Sequence, residues 1–288
     1  MIVIGAIDNT YDYGNETSGY VRVFRNVNES WIQVGSDIVG EGQGDRFGYS
    51  VSTNYDGTII GVGGVFNSNF HGHVRVLKLE NDTSWVQLGS DLDGSVPFGF
   101  FGKSIAMDHS GYRMVVGANG VDNGYVKVFE FSSMVSTWIQ IGSTLTGLNI
   151  DDRFGHAVDM NNDGTIICAS SIGHDGVTNN AGHVRAFEFT LKDWRPLGTD
   201  MIGTEHDDNL GYSLSMNGDG HLIVVGMPNA SDKRGRVRVY HLVDSKWVQN
   251  GRDLIGEIRG DKFGYDVDVD QSGTYLVVGS IGVDVSKY

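Results

Sequence analysis

The sequence is short of cysteine, of proline and of positive charge, and it has no long apolar run. One cysteine, Cys168, among 288 residues excludes an internal disulfide framework, so cysteine usage reports no redox compartment. No apolar stretch approaches the roughly 18 residues that a membrane-spanning helix needs. Only 21 Lys and Arg stand against 36 Asp and Glu, a formal net charge of −15. That balance argues against a nucleic-acid partner, which would need a basic patch. Salt-rich surroundings or cationic partners suit it better. The stretch MIVIGAIDN has neither the basic start nor the apolar length of a signal peptide. No segment carries a helical period, and no H-E-x-x-H occurs; the one H-x-H runs from His71 to His73. Glycine, in contrast, is abundant, 42 residues against 3 prolines, as in a turn-rich domain.

What is present is a repeat. The octets GDRFGYSV at Gly44–Val51, DDRFGHAV at Asp151–Val158 and GDKFGYDV at Gly260–Val267 are variants of one another. The Phe-Gly step, once Leu-Gly, falls at Phe47, Phe101, Phe154, Leu210 and Phe263, at intervals of 54, 53, 56 and 53. All five tryptophans, Trp31, Trp85, Trp138, Trp194 and Trp247, keep the same intervals, and four of them open a W-x-Q-x-G pattern. Two independent marks in one phase establish a true repeat.

Within each unit the period is two, and turn residues divide it into four short strands. The first follows Phe-Gly. A hairpin rich in Asp, Asn and Gly comes next, as at Asp56-Gly57 or Asp163-Gly164. The second strand is an unalternating apolar run such as TIIGVGG or LIVVGMP, which predicts cover on both faces. The third is YVRVF or a variant, and the fourth starts at the tryptophan. Four antiparallel strands per unit of about 50 residues, repeated, predict an all-β fold, a β-propeller of four-stranded antiparallel blades. A β-helix would want a shorter repeat, and a sandwich would not hold this phase.

The Phe-Gly openings and the Gly-Ala, Gly-Met-Pro or Gly-Ser after the second strand resemble FG-GAP repeats, the blades of integrin-α-type propellers, over nearly the whole chain. The resemblance implies an interaction module and leans extracellular or surface-associated. Calcium-binding members of that family carry a D-x-D-x-D-G-x-x-D loop, whereas NYDGT and NNDGT here offer too few oxygens for calcium. No metal and no cofactor are therefore expected. Four N-x-S/T sequons, at Asn15, Asn28, Asn81 and Asn229, would suit an extracellular glycoprotein.

Aligned on the Gly after the second strand, MIVIGAI at Met1–Ile7 matches YLVVGSI at Tyr275–Ile281. The expectation is a single domain over residues 1–288, with five blades opening near 47, 101, 154, 210 and 263. The last would be closed by the amino-terminal segment 1–46, and one second strand would be spare. The rival is a window of a longer array, of six or seven blades.

Function is sought where the units differ. Asp45, Asp152, Asp208 and Asp261 precede the Phe/Leu-Gly by two, and the third strand has Arg22, Arg75, Lys127, Arg185 and Arg238 at one position. These are read as repeated structural charge pairs, because buried charges need partners. Binding is placed on the variable loops between strands four and one and between strands two and three, with Tyr11, Tyr13, Phe70, His71, His174 and His206 as candidate contacts. His73 is read as packing and Cys168 as an inert core thiol. Asp159, Asp266 and Asp268 replace Ser or Ala on first strands, with one unit between them and no Glu to match. The leading reading is a non-enzymatic binding or adhesion module for a protein or glycan ligand. Two alternatives stay open: a glycoside hydrolase-like enzyme using the channel carboxylates, and a structural subunit, homo-oligomer or larger assembly joined through strand edges.

Overall fold

The computed structural model describes residues 1–7 and 18–282. They form antiparallel sheets in two compact units, Met1–Val121 with Lys127–Ile141, and Asp122–Val126 with Gly142–Tyr288. Tyr11 and Tyr13 lie outside the described residues.

The first unit holds one sheet of Ile2–Ala6, Tyr20–Val27, Ser30–Gln33 and Ile38–Val39, and a second of Phe47–Thr53, Ile59–Gly64, His73–Glu80, Ser84–Gln87 and Leu92–Asp93. It also holds Ser104–Met107, Arg113–Ala118, Thr137–Gln140 and most of Tyr125–Ser132. The second unit holds Phe154–Met160, Ile166–Ser171, His183–Thr190, Asp193–Pro196 and Met201–Ile202. The sheet after it is Ser213–Met216, Leu222–Met227, Arg236–Val243, Lys246–Gln249 and Leu254–Ile255, and the pair Asp266–Val269 and Leu276–Gly279 follows. As the unbroken apolar runs predict, the second strands Ile59–Gly64, Ile166–Ser171 and Leu222–Met227 are buried at every residue. Phe47, Phe101, Phe154 and Leu210 are buried as well. The glycine after Phe47 has a φ of +92°, and a Cβ on it would meet the Tyr20 carbonyl oxygen at 2.9 Å, so the motif needs glycine there.

The fourth strand departs from the sequence reading. It is broken, and a two-residue piece beyond the break, such as Ile38–Val39 or Leu92–Asp93, returns to pair with the start of the third strand. The break sits at the Gly of W-x-Q-x-G, where Gly35 has a φ of +74°. A bidentate fork then holds it: Arg22 Nε and Nη2 donate to Asp37 at 2.9 and 2.8 Å, and Gln33 Nε2 donates to the same carboxylate at 2.8 Å. Arg75 with Asp91 and Gln87, and Arg238 with Asp253 and Gln249, repeat the arrangement.

This corrects the charge pairing. Arg22, Arg75 and Arg238 take the aspartate after W-x-Q-x-G, not the one before Phe-Gly. Asp45, Asp152, Asp208 and Asp261 instead cap their own loops, accepting from the backbone N–H of Gly42, of Leu148 and Asn149, of Glu205, and of Ile258. Arg185 donates to the Thr146 carbonyl at 2.5 Å and lies against the Phe154 and Phe187 rings. Lys127 has the same register position.

The tryptophan period has its own cause. Trp85 Nε1 donates to the Val34 carbonyl at 2.9 Å, Trp138 to Leu88 at 2.8 Å and Trp247 to Leu197 at 2.8 Å. Each of these indoles therefore bonds the residue just before the glycine four places after the tryptophan of the preceding repeat. The place beside Tyr20–Val27 that the sequence reading gave to the carboxy-terminal second strand is taken by Ile2–Ala6, in a register from Ile2 with Phe24 to Ala6 with Tyr20.

Candidate active site

The first strand stands at one end of its sheet order, so its outer edge has no strand partner within that sheet. The repeat supplies acceptors from a neighbouring first strand: Met107 N donates to Ser52 Oγ at 3.0 Å, and Val269 N to Ser215 Oγ at 3.2 Å. At the same repeat position in Phe154–Met160 stands Asp159, whose Oδ2 accepts from Met216 N at 2.7 Å. Its other oxygen accepts from Met160 N at 2.8 Å.

Asp159 is half-buried, and burial pushes its carboxyl up to about 7, against the two N–H donors that favour the anion; the Asp268 charge pushes the same way as burial. The unit between the two acids is not a gap. Its Ser215 donates to Asp268 Oδ1 at 3.2 Å and also reaches the Asp159 carboxyl. Asp159, Ser215 and Asp268 thus form one connected set from three successive first strands. Asp266, on the same strand face as Asp268, is also raised, by desolvation first and Asp268 second. A carboxyl poised near neutrality beside a second, exposed carboxylate is the pattern general acid–base chemistry requires. Ser215 was missed from sequence because serine is the ordinary residue at this position; only the acids either side make it a bridge. Cys168 pairs across from Asp159 and is fully buried, which pushes its thiol well up.

The loop end of the second unit holds a polar cleft of about 990 Å³, lined among others by Asp151, Asp175, Asn180, Asp207, Asn209 and Lys233. Asn180 Nδ2 donates to Asp207 Oδ1 at 2.9 Å, and Asn229 Nδ2 to Asn209 Oδ1 at 2.8 Å. The predicted loop residues His174 and His206 flank this lining. His174 is buried, its Nδ1 3.1 Å from Asp152 Oδ1 and its ring 4.5 Å from that of His183. His183 faces Asp200 at 3.1 Å, and burial pushes it down to about 4. His206 is exposed beside Asp207.

In the first unit Phe70 stacks on Phe98 with centroids 5.4 Å apart and meets Phe66 and Phe100 edge-on. His71 Nδ1 contacts the Ser68 carbonyl. The candidate contacts therefore belong to separate local clusters. The hairpin carboxylates are spent on their own backbone: Asp56 accepts from Thr58, and Asp270 from Thr274 and Tyr275.

No family model matches the chain, and no curated protein does, so the likeness to FG-GAP repeats rests on the sequence motifs alone. Among solved structures, the periplasmic gluconolactonase PpgL of Pseudomonas aeruginosa superposes with a TM-score of 0.63 at 14% identity, over 98% of this chain and 77% of that one. Kuenenia stuttgartiensis hydrazine synthase gives 0.61 at 13%, over 90% and 67%. A candidate 6-phosphogluconolactonase of Bacteroides uniformis gives 0.52 at 10%, over 96% and 87%. The chain has the β-propeller fold, and its strand count is compatible with five blades. The expectation of a non-enzymatic adhesion module is corrected here. The three structures just described are named as enzymes, and the first-strand acids, which the sequence reading ranked below the loops, form a connected titratable set.

Proposed function

We propose that the protein is a hydrolase acting on a sugar-derived substrate, with Asp159 as the proton-exchanging group. The observation that carries this reading is the Asp159–Ser215–Asp268 set, in which one acid has a proton affinity matched to neutral pH. On a lactone, the Asp159 carboxylate would take a proton from water as the water oxygen bonds to the carbonyl carbon. The ring C–O bond then breaks, and Asp159 returns the proton to the departing ring oxygen. Burial first, with the Asp268 charge adding to it, keeps the Asp159 proton affinity high. The lactonases among the structural neighbours direct the first substrate screen to sugar lactones; at no more than 14% identity they bring the fold and leave the substrate to be found. A second reading is supported by the presence of two carboxyls: on a glycoside, Asp159 would act as acid and Asp268 as base or nucleophile.

The test is pH-stat hydrolysis of D-glucono-δ-lactone and release of nitrophenol from aryl glycosides by the wild-type chain, Asp159→Asn and Asp268→Asn. The reading expects turnover above the spontaneous rate on one class, rising as pH passes about 7 on the lactone, where Asp159 is the base, or falling there on the aryl glycosides, where it is the acid, and a loss on the order of 100-fold or more in Asp159→Asn. Wild-type rates at background on both classes, or full activity in Asp159→Asn, would sink it. Loss of activity in Asp159→Asn alone favours the lactone reading, and loss in both variants on aryl glycosides favours the second.

A further inference from the structure

We propose that Glu41, His73 and Asp91 form a site for a divalent transition-metal ion, with Zn²⁺ as the probe. One ligand atom from each, an imidazole nitrogen and two carboxylate oxygens, all lie within 4.8 Å of one another. His73 is 1% exposed, and among the described residues its Nε2 has no hydrogen-bond partner. A buried polar atom without a partner is costly. A ring nitrogen of His73 lies within 4.8 Å of the Glu41 and Asp91 oxygens, and Nε2 bonds to neither.

The repeat supplies an internal comparison. In the sheet that begins at Ser213 the residue in the place of His73 is Arg236. Its guanidinium lies 2.9 Å from Glu205, 3.2 Å from Asp253 and 3.9 Å from Asp208. Those carboxylates stand where Glu41, Asp91 and Asp45 stand around His73. Both sheets also carry the forked arginine of the third strand, Arg238 or Arg75; Arg75 contacts Glu41 as well as Asp91. Three carboxylates and two guanidiniums leave one negative charge in the Arg236 cluster. With one guanidinium fewer, the His73 cluster keeps two. The sister sheet therefore holds a permanent cation where the His73 sheet offers a lone pair and uncompensated acid.

The neutral imidazole is the form that ligates metal. One imidazole with two carboxylates suits a borderline ion such as Zn²⁺ better than Ca²⁺, which takes six to eight oxygens. Glu41 is 56% exposed at its side chain and leaves a way in from solvent. The H-x-H spacing contributes only one of its two histidines, since His71 turns to Ser68.

Calorimetric titration of Zn²⁺ into the full chain in chelator-free buffer tests this, together with melting with and without the ion. The expected result is one ion per chain and a raised Tm. Glu41→Gln, an exposed change, should weaken binding on the order of tenfold or more. His73→Arg, which copies the sister sheet, should abolish binding and raise the metal-free Tm, while His206→Ala should bind like the wild type. Binding that survives both Glu41→Gln and His73→Arg overturns the proposal, as does no binding by the wild type up to about millimolar Zn²⁺. If His73→Arg fails to fold, Glu41→Gln decides.

Discussion

Asp159 is held between opposing demands, and its titration should be visible in stability. Its carboxyl titrates at 3.8 in a free chain and at about 7 when folded. The stability that depends on the neutral acid is thus complete below the lower value and lost as pH rises through the upper one. His183 runs the other way, from 6.5 down to about 4, so its contribution is complete above 6.5 and lost as pH falls. The wild-type curve alone would mix the two. The Tm of the wild type minus that of Asp159→Asn should fall between pH about 5 and about 8, as thermal melts in matched buffers would show. A flat difference would mean that Asp159 is ionised throughout. Trp85 offers a second measurement. Trp85→Phe keeps most of the ring but removes the 2.9 Å bond to the Val34 carbonyl and should cost about 1 kcal/mol in urea unfolding.

The broken fourth strand shows how a motif becomes an element. W-x-Q-x-G reads as a strand that begins at tryptophan; the strand breaks at the glycine and resumes beyond it because Arg22, Arg75 or Arg238 forks onto the following aspartate. Arg238 and Asp253 are largely buried. Arg238→Ala should therefore cost about 3 kcal/mol or more by leaving a buried carboxylate with one partner fewer, again read by urea unfolding. Hydrogen exchange in Leu254–Ile255 should accelerate in the same variant; unchanged protection would show that the break closes without the fork. The hairpins were legible because Asn and Asp at fixed offsets accept their own backbone N–H groups, a contact within a few residues. The arginine partners were not, because the repeat has two aspartate positions, each filled in four of five units, and only the register, Tyr20 with Val39 and Val21 with Ile38, places one of them opposite the arginine.

Across the chain, 36 acidic residues against 21 basic ones mean self-repulsion that salt should screen. Raising NaCl from about 20 to about 200 mM should raise Tm. A fall would mean that the short ion pairs outweigh the net charge. The same surplus is uneven in its effects. In the Arg236 cluster two guanidiniums answer it, and around His73 only that of Arg75 does.

Period, strand order within a unit, the doubly covered second strand and the all-β class were all legible in the order of residues, because each depends on contacts between neighbours in sequence or on a pattern that recurs every 53 to 56 positions. The candidate chemistry was not. Asp159 and Asp268 stand out in the sequence as acids where serine or alanine is usual, but they lie 109 positions apart, and what joins them is a serine that looks ordinary. Likewise His73 reads as packing until Glu41 and Asp91 come within ligand distance. Burial, charge and proton affinity are sums over groups that meet only after the sheets have assembled, so tertiary structure decided which of the many acids are structural caps and which gather in titratable clusters.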